Sequence, residues 1–377
     1  MCGSRRLERA HSASRRRAWQ PFARSRLILH TRPDDHRAVE CHASASALHH
    51  TGRMQHPTPL PVGLGAPAFS VAAARRAGVS RARLRASDLR RPHYGVRLTG
   101  SDDSLASRTQ AYAQRMPSNH HFSHLTAARV NGMRMPDGFR DGKLHVTAVG
   151  GGRAPRGANI IGHKAQTADI APTPTGQPHV SVQVSHGLPL RVSTPVATWL
   201  DLGGTLSVRD LVIMGDGLVS KRRPAATMHD LRAAVTSRKG RRGYRALCDA
   251  LKLIRPRTDS ARETILRLMI LEAGLPEPEI DVKIVNRFGA EIANTDLGYR
   301  QYRVLIEYDG GQHREDPWQF GVDIERLDNL MEERWRVIRV DKMLMAKMAT
   351  LIGKITTALM AGGWRGPGQT DSARPSG

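Results

Sequence analysis

Cysteine is scarce in this chain. Its 377 residues carry three, Cys2, Cys41 and Cys248, too scattered for a disulfide framework or for the paired spacing of a zinc finger. Long apolar runs are missing as well. No stretch approaches the roughly 20 residues that cross a bilayer, and the first residues are Arg- and His-rich, unlike a secretory signal. These absences predict a soluble, cytoplasmic protein with no membrane association. Acidic residues are the third shortage: 34 Asp and Glu stand against 58 Lys and Arg, a formal net charge of +24 with pI about 11.1. An excess of this size points to a polyanionic partner, with nucleic acid ahead of a membrane surface. Gly150-Gly151-Gly152 is not followed by a helical pattern, which excludes a phosphate-binding loop.

With 40% hydrophobic residues the chain can build cores, but not along its whole length, and its size allows two or three domains. The expected class is α+β, multidomain. Residues 1–55 lack periodicity and are crowded with Arg, His, Ser and Ala, a composition that buries too little apolar surface to order itself. They read as a disordered basic extension or as sequence ahead of a true start at Met54. Residues 60–100 suggest a winged helix-turn-helix: a helix over Phe69–Gly78, a turn at Gly78-Val79, a helix over Arg81–Ala86 capped by Ser80, and a strand over Tyr94–Leu98. Arg81, Arg83, Arg85 and Arg97 are its candidate DNA contacts, and a basic surface hairpin is the plainer alternative. Residues 101–250 are expected to be an α+β linking domain without chemistry. It would hold a helix over Phe122–Val130, strands over Leu144–Val149 and Val180–Val184, and helices over Thr194–Leu202 and Val208–Gly215. His120, His121 and His124 cluster there, but no further ligand spacing accompanies them, so they read as loop and surface residues.

The segment 256–362 has the clearest pattern, with 363–377 a disordered tail. Ser260–Ala273 is an amphipathic helix ended by Gly274, with Pro276 and Pro278 beyond. Strands follow at Val282–Asn286, Glu291–Leu297 and Tyr302–Tyr308. A helix over Gln319–Arg334, a strand over Arg336–Val340 and a helix from Met343 to Met360 complete the order αβββαβα. The third strand runs into Glu307-Tyr308-Asp309-Gly310-Gly311-Gln312-His313. Glu307 and Asp309 are two apart, so on a strand they leave by one face. Like charges there repel and lose solvation, and a divalent cation with a preference for carboxylate oxygen offsets both costs.

Residues 260–340 resemble the PD-(D/E)XK nuclease superfamily, in particular the actinobacterial branch related to very-short-patch repair endonucleases. The resemblance rests on Ser260-x-x-Glu263, Gly274-Leu275-Pro276-x-Pro278, Asp296-Leu297, Ile306-Glu307-Tyr308-Asp309-Gly310-x-Gln312-His313, Asp323-x-x-Arg326 and Trp335-x-Val337-x-Arg339-Val340. It implies a restriction-endonuclease-like α/β fold and a Mg²⁺- or Mn²⁺-dependent DNA endonuclease of repair or defence type. Asp296 and Glu307 would be the main metal ligands, Asp309 a further metal ligand or the group that orients a metal-bound water, and Glu263 a further catalytic carboxylate. The superfamily lysine two residues after Glu307 is replaced by Asp309, and His313 is the natural substitute as general acid or base. Phe69-Ser70-Val71 through Gly78-Val79-Ser80 to Gly95-Val96-Arg97 is similar, more loosely, to the winged-helix domain of AbiEi-type antitoxins. That similarity implies a DNA-binding module and a cognate toxin as a further partner.

Plainer roles exist for each residue. Ser260 and Glu263 have capping-box spacing; Asp296 could close a strand; Asp309-Gly310 is a turn dipeptide; Asp323 and Arg326 suit a helix-surface or helix-to-core salt bridge; Trp335 suits a core. A non-catalytic DNA-binding regulator or type IV antitoxin with a degenerate nuclease fold is therefore the rival function, and an RNA-directed nuclease a third. Catalysis requires Asp296, Glu307 and His313 to converge within reach of one ion. A Glu307 that enters the apolar core, or pairs with an arginine there, removes the catalytic reading.

Overall fold

The computed structural model describes residues 57–64, 67–137, 142–165, 180–182, 187–310 and 317–366, with the side chains of 181 and 317–324 excepted. The expectations for 1–55, for Met54, for His313, for the Asp323 side chain and for the tail beyond 366 lie outside the described residues.

The first unit is a small sheet with one short helix. Strand β1 (Ala68–Ser70) leads directly into α1 (Val71–Arg76), and β2 (Leu89–Arg90) and β3 (Val96–Thr99) complete a sheet of order β1-β3-β2. Ser70 caps α1 by accepting from the Ala73 N–H at 3.1 Å. The expected helix over Phe69–Gly78 is thus shorter, because Phe69 belongs to the strand and is buried. The expected helix over Arg81–Ala86 is a three-residue 3₁₀ turn, Arg83–Arg85. Ser80 Oγ accepts from Arg83 N–H at 3.1 Å, but the cap position of this turn is Ala82, which has no side-chain cap. Only Leu84 in this stretch finds a core, too little burial to offset the cost of nucleating an α-helix.

Helix α2 (Leu105–Ala113) leads into a five-stranded sheet. Its strands are β4 (His120–Phe122), β5 (Leu144–Val149), β6 (Ile160–Ala165), β7 (Val180–Val182) and β8 (Leu190–Val192), in the order β6-β5-β4-β8-β7, with α3 (His124–Val130) following β4. The expected helix over Phe122–Val130 loses Phe122 to β4, where the ring is fully buried. Helices α4 (Pro195–Leu202), α5 (Val208–Leu218), α6 (Met228–Thr236) and α7 (Tyr244–Leu253) then gather around Trp199. That indole is inaccessible to solvent and donates Nε1–H to the Leu211 carbonyl at 2.9 Å, so its apolar body and its polar tip are both satisfied.

The last unit keeps the expected order. Helix α8 (Ala261–Glu272) is followed by β9 (Glu279–Val285), β10 (Glu291–Tyr299) and β11 (Val304–Tyr308). Then come α9 (Pro317–Glu332), β12 (Arg336–Val340), and α10 (Lys342–Ala346) and α11 (Met348–Ala361), which divide the single helix expected there. The sheet runs β12-β11-β10-β9. Pairing is antiparallel from β9 to β11 and parallel between β11 and β12, as the α9 crossover requires. Alternation on β11 sets the two sides of the sheet. Val304 and Ile306 pack with Leu266, Ile270, Leu351 and Ile355 of α8 and α11, whereas Leu305 packs with Leu330 of α9.

Helix α8 is tied to the helical core by a buried ion pair. Arg267 and Asp216 of α5, both fully buried, meet at 3.0 Å. Asp216 also accepts from Thr264 Oγ1 at 2.9 Å and from the Arg255 N–H at 2.8 Å, and Arg267 donates to the Leu253 carbonyl at 2.8 Å. Burial pushes the Asp216 carboxyl up, against the pull of Arg267. Among the described residues no helix is long and apolar enough to cross a membrane.

Candidate acidic site

The antiparallel register of β10 and β11 pairs Tyr299 with Val304, Gly298 with Leu305 and Leu297 with Ile306. Continued by one residue, it brings Asp296 opposite Glu307. The strands part there, and the Tyr308 N–H donates to Asp296 Oδ2 at 2.8 Å. Like charges facing each other across a ladder are unfavourable. The effect is visible on Asp296, whose carboxyl is pushed up to about 7, first by burial and then by Glu263, with Glu307 and Asp259 adding to it. The Tyr308 hydrogen bond opposes the rise.

Glu263 reaches this cluster from the first turn of α8. Its N–H donates to Ser260 Oγ at 3.1 Å, and its carboxylate accepts from Asp259 N–H at 2.8 Å. One half of the expected capping box is therefore present, and the other half is shifted back by one residue. Burial raises the Glu263 carboxyl. Arg134 secures this corner, donating to the Thr258 carbonyl at 2.9 Å and to Thr258 Oγ1 at 2.8 Å.

Glu307 pairs with an arginine. Arg326 Nη1 and Nη2 donate to its two carboxylate oxygens at 2.6 and 2.7 Å. The sequence contains the reason. Leu305 and Glu307 share one face of β11, and Arg326 and Leu330, four apart, share one face of α9. Leu330 meets Leu305, and Arg326 meets Glu307. The pair lies at the seam of helix and sheet with 13% of the Glu307 side chain and 24% of the Arg326 side chain exposed, so solvent reaches it. Asp309 is approached by Arg339 Nη2 at 3.2 Å, a residue that the parallel register sets beside Glu307. Asp296, Glu307, Glu263 and Asp309 thus share one end of the sheet. The expected salt bridge of Arg326 is present, and Trp335 packs partly buried beside Leu330 and Val337.

Oxygen donors of this type suit Mg²⁺ or Mn²⁺, but Glu307 is held by a guanidinium. Among the described residues, the one group of three or more potential ligands whose atoms all lie within 4.8 Å of one another is a different one: His124, His145 and His163. The expectation that His120, His121 and His124 are loop and surface residues is corrected on two counts. His120 and His121 lie in β4, His121 is buried, and His124 opens α3 against two histidines far along the chain. The sequence signal was weak, because His145 and His163 sit singly on separate strands.

The candidate nucleic-acid arginines divide into two pairs. Arg81 and Arg85 are exposed. Arg83 is engaged in a two-pronged pair with Asp88 at 2.7 and 2.9 Å, and Arg97 is half-buried, donating to the Leu84 carbonyl at 2.6 Å.

Two uncharacterised proteins of Mycobacterium tuberculosis, from strains CDC 1551 and H37Rv, are each 29% identical over 111 residues. The match covers 29% of this chain and 41% of each relative's length. No protein-family profile matches the chain, and no solved structure does.

Proposed function

We propose that the chain is a metal-dependent DNA endonuclease whose centre is Asp296, Glu307 and Glu263, with Asp309 at its edge. The observation that carries this is the placement of Asp296 opposite Glu307 at the end of the β10–β11 ladder, held by the Tyr308 N–H, with its carboxyl pushed up by burial and by Glu263. A group at about 7, beside further carboxylates, lies where protons and divalent cations compete for it, and such groups concentrate at functional sites. Mg²⁺ or Mn²⁺ taken up at Asp296, with Glu307 and Glu263 as further ligands once Arg326 lets Glu307 go, would supply Lewis acidity to a phosphodiester and lower the pKa of water. The chain's own contributions are specific. Tyr308 N–H orients Asp296, Asp259 N–H and Ser260 orient Glu263, and Arg326 must release Glu307. The freed guanidinium is then suited to a phosphate oxygen. Arg81 and Arg85 of the N-terminal unit, which in outline is a short helix with a small wing-like sheet, would contact backbone phosphates. His313 is the proposed acid or base in place of the superfamily lysine.

One observation favours a second function. The two-pronged Glu307–Arg326 pair and the Asp309–Arg339 contact neutralise two of the carboxylates without any cation. A non-catalytic DNA-binding regulator or antitoxin would retain the fold in this way. Incubation of the full chain with plasmid and mismatched duplex DNA in Mg²⁺ or Mn²⁺, beside Glu307→Ala, separates the two. Nicking that requires metal and vanishes in Glu307→Ala is expected. Salt-sensitive DNA binding without cleavage by either protein would establish the regulator instead.

A further inference from the structure

The three histidines belong to a different part of the fold and use different chemistry. Strands β5 and β6 are parallel, with Thr147 opposite His163 and His145 opposite Ile161. His145 and His163 therefore stand two steps apart on neighbouring strands. Leu144 and Val146 point into the apolar core with Phe122, so His145 and Thr147 take the other face, where Ser123 and His124 at the start of α3 meet them. The first residue of that helix is His124.

The distances bring the three rings together. His145 Nδ1 and His163 Nε2 are 3.0 Å apart. The His124 and His163 rings lie nearly parallel, 11° apart in plane, with centroids at 3.6 Å, and His124 is 5.8 Å from His145. A hydrogen bond between two neutral imidazoles accounts for the 3.0 Å contact and stacking for the third ring, but the three rings also bring one ligand nitrogen each within 4.8 Å of one another.

Two features of His124 indicate that its position is imposed. Its backbone is left-handed, with φ of 47°, uncommon for a residue with a side chain and costly unless its surroundings hold it. Its Nδ1 lies 3.0 Å from Ser123 Oγ, which itself accepts from Thr147 Oγ1 at 2.7 Å. An outer hydrogen bond on one imidazole nitrogen directs the other toward a ligand, as it does around metal-binding histidines. His145 is fixed through its backbone N–H, which donates to Thr126 Oγ1 at 2.8 Å.

We infer that His124, His145 and His163 form a binding site for a borderline transition cation, Zn²⁺ foremost, which clamps α3 to the β5–β6 pair. Three imidazole nitrogens and no carboxylate disfavour Mg²⁺ and Ca²⁺ and suit Zn²⁺, which takes a fourth ligand from solvent or substrate. The protonation states agree. Burial, then the neighbouring His163 and His145, then Arg238 and His121 push His124 down to about 2, and burial with His145 pushes His163 to about 4. Both rings are neutral near pH 7, which is the form that coordinates a metal.

The test is Co²⁺ and Zn²⁺ titration of the full, chelator-stripped chain beside His163→Gln and His145→Gln, with His120→Gln as the control. Because His49, His50 and His56 also offer imidazole, binding is counted as the difference from His163→Gln. Wild type and His120→Gln should take up one more equivalent of Co²⁺, with the intense visible bands of a four-coordinate ion that Zn²⁺ abolishes. Affinity should fall more than about 100-fold in either site variant, beyond the usual loss for an outer-shell change. Equal stoichiometry in all four proteins, or only the pale spectrum of hydrated Co²⁺, overturns the inference. A readout on wild type alone covers a variant that fails to fold. Carbethoxylation mapped by mass spectrometry should drop several-fold at the partly exposed His163 when Zn²⁺ is present, and unchanged labelling refutes the site.

Discussion

Replacing Asp296 by Asn should stabilise this protein, and by more at alkaline pH than at acid pH. The amide keeps the shape and still accepts the Tyr308 N–H, while the charge disfavoured by burial, Glu263, Glu307 and Asp259 is removed. The folded-state carboxyl stands at about 7 against an ordinary 3.8. At about 1.36 kcal/mol per tenfold change in proton affinity, ionising it costs the folded chain about 4 kcal/mol more than the unfolded one. Screening at this partly exposed position brings the range to about 2–4 kcal/mol. The sign follows from proton binding. Between pH 3.8 and about 7 the folded chain holds a proton that the unfolded chain has released, so this group's contribution falls as pH rises and is flat above 7. The Asn variant escapes that fall. Its advantage in urea unfolding should be about 2–4 kcal/mol at pH 8 and about 1 kcal/mol at pH 5, with an unchanged denaturant slope. Millimolar Mg²⁺ at pH 8 should raise the melting temperature of wild type and leave that of Asp296→Asn unmoved. An Asn variant no more stable than wild type at pH 8, or equally advantaged at both pH values, would refute the clustering of charge on Asp296.

Two further substitutions probe the frame that holds the site. Arg267→Ala strands the buried Asp216 carboxylate and should cost about 3–5 kcal/mol in chemical denaturation; a loss below about 1 kcal/mol would mean that water reaches the pair. Gly243→Ala should destabilise by about 1–3 kcal/mol, read as a drop in melting temperature, because Gly243 has φ of 85° and a β-carbon there would strike the Gly203 and Gly204 backbone. An unchanged melting temperature would contradict that approach of α7 to the end of α4.

The C-terminal unit was legible because its local signals agree. Ser260 before an apolar stripe, Gly274 after it, β-branched strands and Trp335 ahead of Arg336–Val340 mark their own boundaries, and the order αβββαβ followed with ends shifted by a few residues. The N-terminal part was less legible. Ser80 offers a cap, but whether a helix propagates depends on burial, and that stretch buries only Leu84. Helices α6 and α7 were missed because their apolar residues acquire meaning only against Trp199 and Leu211.

The sequence alone determined that carboxylates gather at the end of β11, since Glu307 and Asp309 stand two apart at its close. It also determined the excess of positive charge. Tertiary structure alone decided how those charges are shared. That Arg326 reaches Glu307, that Glu263 raises Asp296, and that His124 meets His145 and His163 all depend on a helix packing at one angle over strands distant in sequence. Spacing along a chain carries no record of such contacts, because they are fixed by the burial of Leu305, Leu330 and Phe122 around them.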